Sequence, residues 1–85
     1  MKRRANLKQQ VMGDEVMVMD EAADKVHVLN ATSAFIWNAL DETTDVAEIE
    51  RRVRAHFKAS QEYDVAGLVG RAILQFKNAN LIVEG

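Results

Sequence analysis

His27 and His56 are the only two histidines in the chain, and they fall in different segments with no short metal-ligand spacing. His27 stands in a β-favouring run with no acid visibly paired to it, which reads as a packed or half-exposed side chain rather than a base or ligand. His56 falls near the end of a helical pattern, where a partly charged imidazole suits the helix dipole. The acid pairs Asp14-Glu15, Asp20-Glu21 and Asp41-Glu42 lie in turn-like stretches, where carboxylates are ordinarily solvated. Acid/base work needs a concave site that moves their pKa values apart, and a chain of 85 residues has little room for one. Ser33 and Ser60 have no glycine-flanked nucleophile turn. Gly67-Leu68-Val69-Gly70 is no phosphate loop, because it lies inside a helical pattern with no Lys-Ser/Thr after it. With no cysteine there is neither a disulfide framework nor a thiolate metal site. The expectation is a protein that is not an enzyme, with no catalytic residue, no metal site and no cofactor.

Charge narrows the partners. A formal net charge of −2 argues against a nucleic-acid binder, which ordinarily carries a strongly basic surface. The run Arg51-Arg52-x-Arg54 is the exception. Its simplest reading is a solvated helix face, balanced in part by Glu48 and Glu50. No apolar run approaches the roughly 20 residues of a membrane span, and the basic start Lys2-Arg3-Arg4 precedes no signal-peptide core. A cytoplasmic protein with no membrane and no nucleic-acid partner is expected.

The elements that would position any site are legible in outline. The chain is one domain, with residues 1–6 expected as a flexible, basic tail. Lys8 to Met12 is a short strand, Gly13-Asp14 a turn, and Glu15 to Met19 the clearest strand. Asp20 to Asp24 is of hairpin length, and Lys25 to Leu29 returns as a third strand, alternating with the two-residue period of extended chain. Asn30 then caps a helix over Ala31 to Leu40 that is apolar nearly all round and so belongs at the centre. Asp45 and Glu48 form a capping box for a second helix, with Val46, Ile49, Val53 and Phe57 as one buried stripe. Residues 59–63 connect to a third helix capped by Asp64. Val65, Leu68, Val69, Ala72, Ile73, Phe76 and Ala79 give that helix a wide apolar face.

Asn80 stops the third helix in a left-handed conformation, and Leu81 to Val83 tuck back onto the core. Gly67 and Gly70 each cost about 1 kcal/mol relative to alanine in a helix interior. They mark either a tolerated weakness or a smooth patch for another chain. The expected fold class is α+β: a three-stranded antiparallel sheet followed by a three-helix bundle, like a winged helix with its strands moved to the front. Such a fold can leave a strand edge open beside a helix, where an extended peptide can add.

The order Val28-Leu29-Asn30-x-Thr32-x-x-x-Ile36-Trp37 resembles the PqqD-like family, named after the D component of pyrroloquinoline quinone (PQQ) biosynthesis. Asp41-Glu42, Thr44-Asp45-Val46-x-x-Ile49 and Phe76-x-x-x-Asn80-Leu81-Ile82 extend the likeness over about Lys8 to Val83. The resemblance implies a recognition element for ribosomally made, modified peptides. It would be a chaperone that holds the leader segment of a precursor peptide and presents it to a modifying enzyme, often a radical S-adenosylmethionine (radical SAM) enzyme. It further implies that the leader adds as an antiparallel strand against Lys25, Val26, His27, Val28 and Leu29. The groove beside that edge would be lined by Leu68, Val69, Arg71, Ala72 and Gln75 of the last helix.

Three departures bear on which pathway is served. Leu68 stands where many relatives have an acid, Asn80 where many have glycine, and the stretch from Met17 to Asp24 lacks a Tyr-Pro-Glu turn. They favour a modified-peptide pathway other than the quinone one. Two alternatives remain open from the residues: a winged-helix-like nucleic-acid binder using the basic second helix, and a self-associating structural module. The latter would be a homodimer formed by pairing or swapping the Lys25 to Leu29 edge.

Overall fold

The computed structural model describes residues 1–60 and 62–84; Gln61, inside the expected 59–63 connection, and Gly85, the last residue of the expected single domain, lie outside the described residues. Strands β1 (Lys2–Arg3), β2 (Lys8–Met12), β3 (Glu15–Asp20) and β4 (Lys25–Leu29) precede helices α1 (Ala31–Ala39), α2 (Val46–His56) and α3 (Val65–Asn78), and β5 (Ile82–Val83) ends the order. The main sheet runs β2-β3-β4, antiparallel throughout. The fold is α+β, as expected, with a three-stranded sheet and three helices.

Met12 pairs with Glu15 across a two-residue hairpin loop. Gly13 takes its first position at φ 62°, a left-handed value that such loops need and glycine tolerates. Because Met17 faces Val28 and Met19 faces Val26, these four side chains share the outer face of the sheet. Val16, Val18 and Leu29 share the inner face and are buried.

The helices cover that inner face. Asn30 caps α1, its side-chain oxygen accepting from Ser33 N at 2.9 Å. Asp64 caps α3 by accepting from Gly67 N at 2.9 Å. The capping box of α2 is only half made. Asp45 accepts from Ala47 N at 3.0 Å, but Glu48 does not reach back; Thr43 Oγ1 takes the Asp45 N–H instead. Glu48 bonds Arg51 and Arg52. Ile49 and Val53 are buried as expected, whereas Val46 and Phe57, assigned to the same stripe, are each 40% exposed. They stand at the two ends of α2, where Phe57 still packs edge-on against Phe35 of α1 with ring centres 5.5 Å apart.

The last helix ends in a Schellman motif. Asn80 sits at φ 59°, its N–H donating to Lys77 O at 3.1 Å, while Leu81 N–H donates to Phe76 O at 2.8 Å. Leu81 and Phe76, the apolar pair that accompanies this motif, are both 1% exposed.

Within residues 1–6, expected as a flexible tail, Lys2–Arg3 form the paired strand β1. Lys2 pairs with Val83 and Arg3 with Ile82, so the two ends of the chain close into a second small sheet. Arg4 N donates to Leu81 O at 2.9 Å, and the Arg4 guanidinium meets the buried Asp20 at 2.5 Å. Arg3 lies over the Trp37 ring, 4.3 Å from its centre. Trp37 is fully buried, packs edge-on against Phe76, and donates its indole N–H to Gln9 Oε1 at 3.0 Å. Gln9 Oε1 also accepts from Arg3 at 2.7 Å. The backbone of this segment thus finds its partners at the far end of the chain, and the arginine side chains find theirs at Gln9, Asp20 and Trp37.

Candidate functional site

The sheet order leaves β4 with one paired side, toward β3, and one open side, toward α3. In an antiparallel strand, alternate residues turn their N–H and C=O groups away from the paired neighbour. On β4 those groups face a groove of about 600 Å³. All five residues of β4 line it on one side. Gln75, Phe76 and Asn78 of α3, with Ala79 just beyond, line the other, and Leu81 lies at its end. Val26 and Val28, on the outer face of the sheet, are 58% and 59% exposed at its lip. His27 is half-buried, and its Nε2 is enclosed without a hydrogen-bond partner.

A second hollow of about 220 Å³ continues the first past the start of α1. Asn30, Thr32 and Ser33 form one wall, and Leu68, Arg71, Ala72 and Gln75 the other. Gln75 belongs to both hollows. Together they make one lane along α3, with β4 and the start of α1 opposite. As β4 runs from Lys25 to Leu29, the facing residues of α3 run backwards from Ala79 toward Leu68, so strand and helix are antiparallel.

This lane brings together nine of the ten residues singled out from sequence. The five of β4 line the first hollow, Leu68, Arg71 and Ala72 the second, and Gln75 joins them. Val69 is fully buried and lines neither hollow; it packs in the core beneath the lane. Sequence reasoning missed Phe76, Asn78, Ala79 and Leu81 as lining residues. Phe76 and Ala79 were read as core face, which is one view of a groove floor. Asn78 carried no signal at all.

Charge is distributed unevenly around this site. Among the described residues, Lys2, Lys25, Lys58 and Arg71 have neither a carboxylate within ion-pair distance nor a side-chain hydrogen bond, and of these Lys25 and Arg71 stand on the lane. The basic run of α2 is different. Arg51 pairs with Glu48 at 2.5 Å, and Arg52 with Glu42 at 3.0 Å and Glu48 at 3.3 Å. Arg51 first, and Arg52 after it, hold the Glu48 carboxyl below its ordinary range. Arg54 donates to the carbonyls of Ser60 and Tyr63, tying down the connection to α3. Each arginine of the run is engaged within the domain, which counts against a phosphate-binding face. Among the described residues, no group of three His, Cys, Asp or Glu side chains could hold a metal ion. No described helix is long and apolar enough to cross a membrane.

An α+β domain with an open strand edge facing a helix across a groove is thus the class that fold and site define. The model of the family described as coenzyme PQQ synthesis protein D (PqqD) matches residues 15–82, and the chain belongs to that family. The fold is similar to a solved structure of TbiB1 in complex with the TbiA(beta) leader peptide, with a TM-score of 0.83. That likeness covers 95% of this chain and 93% of the other at 21% sequence identity. No curated protein matches.

Proposed function

We propose that this protein is a non-catalytic recognition element that binds the leader segment of a ribosomally made precursor peptide by strand addition to β4. It would hold that leader for a peptide-modifying enzyme, a radical SAM enzyme being the partner class the family resemblance implies. The open edge of β4 facing α3 across the groove carries the reading. Membership of the PqqD family supports it, as does the likeness in fold to a protein solved with a leader peptide bound.

The chemistry follows from the lane. Backbone groups of Lys25, Val26, His27, Val28 and Leu29 would supply affinity that tolerates sequence variation. Leu68 and Ala72 would select apolar side chains, Arg71 an acidic one, and Gln75 offers an amide at the junction of the two hollows. Val69 would support this surface from beneath. The reaction itself would belong to the partner enzyme. The cytoplasm is the compartment in which such a precursor would be met.

An amide-shift titration with synthetic leader peptides tests the reading. The expected result is micromolar or tighter binding, with shifts concentrated on 25–29 and 68–75. Shifts confined to 51–58 on addition of DNA, falling away steeply with salt, would replace it with a nucleic-acid function. A mass that doubles without peptide, with β4 amides protected, would favour self-association.

A further inference from the structure

Beyond the second hollow lies a third of about 250 Å³, bordered by the end of α2, the start of α3, Thr32 of α1, and Ala59 and Tyr63. Val53, Phe57, Ala59, Tyr63, Val65 and Leu68 give it a mainly apolar lining. Phe57 and Tyr63 are 40% and 54% exposed, so two rings border the pocket as one exposed apolar patch. Arg54 anchors the Tyr63 carbonyl, so this wall is tied to α2 rather than loose. Thr32 and Leu68 line both this pocket and the second hollow, so the lane runs into it without a break.

We propose that this pocket receives a bulky apolar side chain from the part of the bound peptide that lies N-terminal to its added strand. The proposal rests on the reading of β4 as a peptide-adding edge, and it names the class of peptide that edge serves. Direction decides which end of the peptide arrives here. A strand antiparallel to β4 runs from Leu29 back toward Lys25, so its upstream residues emerge beside Asn30 and Thr32. Those residues point along the second hollow to the pocket. Helix rise puts the Val65–Leu68 turn about 13 Å from Gln75, a span that about four extended residues cover. A Phe, Tyr, Trp, Leu or Met at that distance would be covered by Phe57, Tyr63 and Leu68. The strand supplies backbone affinity, and the upstream side chain supplies selection.

The test starts from a display library of random linear peptides selected on the whole chain. Each selected peptide is compared with its variant carrying alanine at the upstream bulky position. Selected peptides that shift the amides of 25–29 are expected to carry a bulky apolar residue about three to five positions upstream of the added segment. Alanine there is expected to weaken binding about tenfold or more. It should also abolish the shifts at Val53, Tyr63 and Leu68 while keeping those on β4. In the pocket-filled variant Ala59→Phe the alanine peptide should bind as before, which reports an intact fold, and the gap between the two peptides should close. Equal binding of the two peptides to the unaltered chain overturns the pocket and leaves the β4 reading standing. So does a gap that survives Ala59→Phe. Absence of any selected peptide that shifts 25–29 overturns both.

Discussion

Gly67 and Gly70 occupy one helix three residues apart, yet alanine should stabilise the chain at Gly70 and not at Gly67. A Cβ built on Gly70 meets no atom within 4 Å, and the residue is exposed. Gly70→Ala should therefore return the full propensity difference, about 0.8–1.0 kcal/mol. For a domain this small that is a rise in Tm of about 4–8 °C. A Cβ on Gly67 would overlap the Asp64 carboxylate and stand 2.8 Å from its Cγ, in the place the N-cap occupies. Gly67→Ala gains at most about 1 kcal/mol of propensity and loses a cap of about the same size, for no net gain. Asp64→Ala alone should cost about 1 kcal/mol. Once the cap is gone the clash is gone, so Asp64→Ala/Gly67→Ala should lie close to the parent. Additivity would put it about 1 kcal/mol below, so the pair should show a coupling of about 1 kcal/mol in a double-mutant cycle. Urea unfolding followed by Trp37 fluorescence reads all four. An equal rise for both single glycine variants, or strict additivity in the cycle, refutes the account of Gly67 as the seat of the cap.

Gln9→Leu should cost about 1–3 kcal/mol, because it leaves the buried indole N–H of Trp37 without an acceptor; an unchanged urea midpoint would show that another acceptor replaces it. Arg4 beside Asp20, helped by the Ala23 N–H and opposed by burial, holds the Asp20 carboxyl below its ordinary value of 3.8. A lowered folded-state pKa gives stability that is complete above that ordinary value and is lost as pH falls through the lower one. Arg4→Gln should therefore flatten the acid limb of a stability-against-pH curve measured below 3.8, and a limb of unchanged slope would count against the pairing. Arg71→Glu should weaken binding of an acidic leader peptide by about 1 kcal/mol, roughly fivefold, without lowering the urea midpoint; equal affinity for both proteins would remove Arg71 from recognition.

Local signals in the sequence proved readable wherever the partner was near. Asn30, Asp64 and Asn80 each act within three or four residues, and each takes the expected conformation. The alternation in Glu15 to Met19 was equally plain, since period two needs no knowledge of the partner strand. What escaped was set by distance along the chain. Nothing near Lys2 or Arg3 says that Ile82 and Val83 will lie beside them, so a charged start read as frayed. Glu48 satisfied the capping-box pattern, yet two arginines one turn on compete for the same carboxylate and win. The lane shows both cases. Its β4 wall was legible as an unpaired strand, and the family resemblance pointed to the middle of α3. The positions beyond Gln75 were not legible, because a helix residue at a groove and one in the core show the same apolar spacing.

The allocation of charge gives the lane its meaning. A small domain with net charge −2 has few cations to place, and most of those described lie against a carboxylate or a carbonyl. The arginines of α2 brace Glu42, Glu48 and the connection to α3. Arg3 and Arg4 close the chain ends over Trp37 and onto Asp20. Among the described residues Lys2, Lys25, Lys58 and Arg71, by contrast, make no ion pair, and of these Lys25 and Arg71 stand one at each end of the lane. Between them lie an unpaired strand edge and an apolar floor. An extended segment that adds to β4 with apolar side chains inward and an acid near Arg71 would satisfy all of these groups together. A phosphate backbone would satisfy the two cations and leave the edge and the floor unmet.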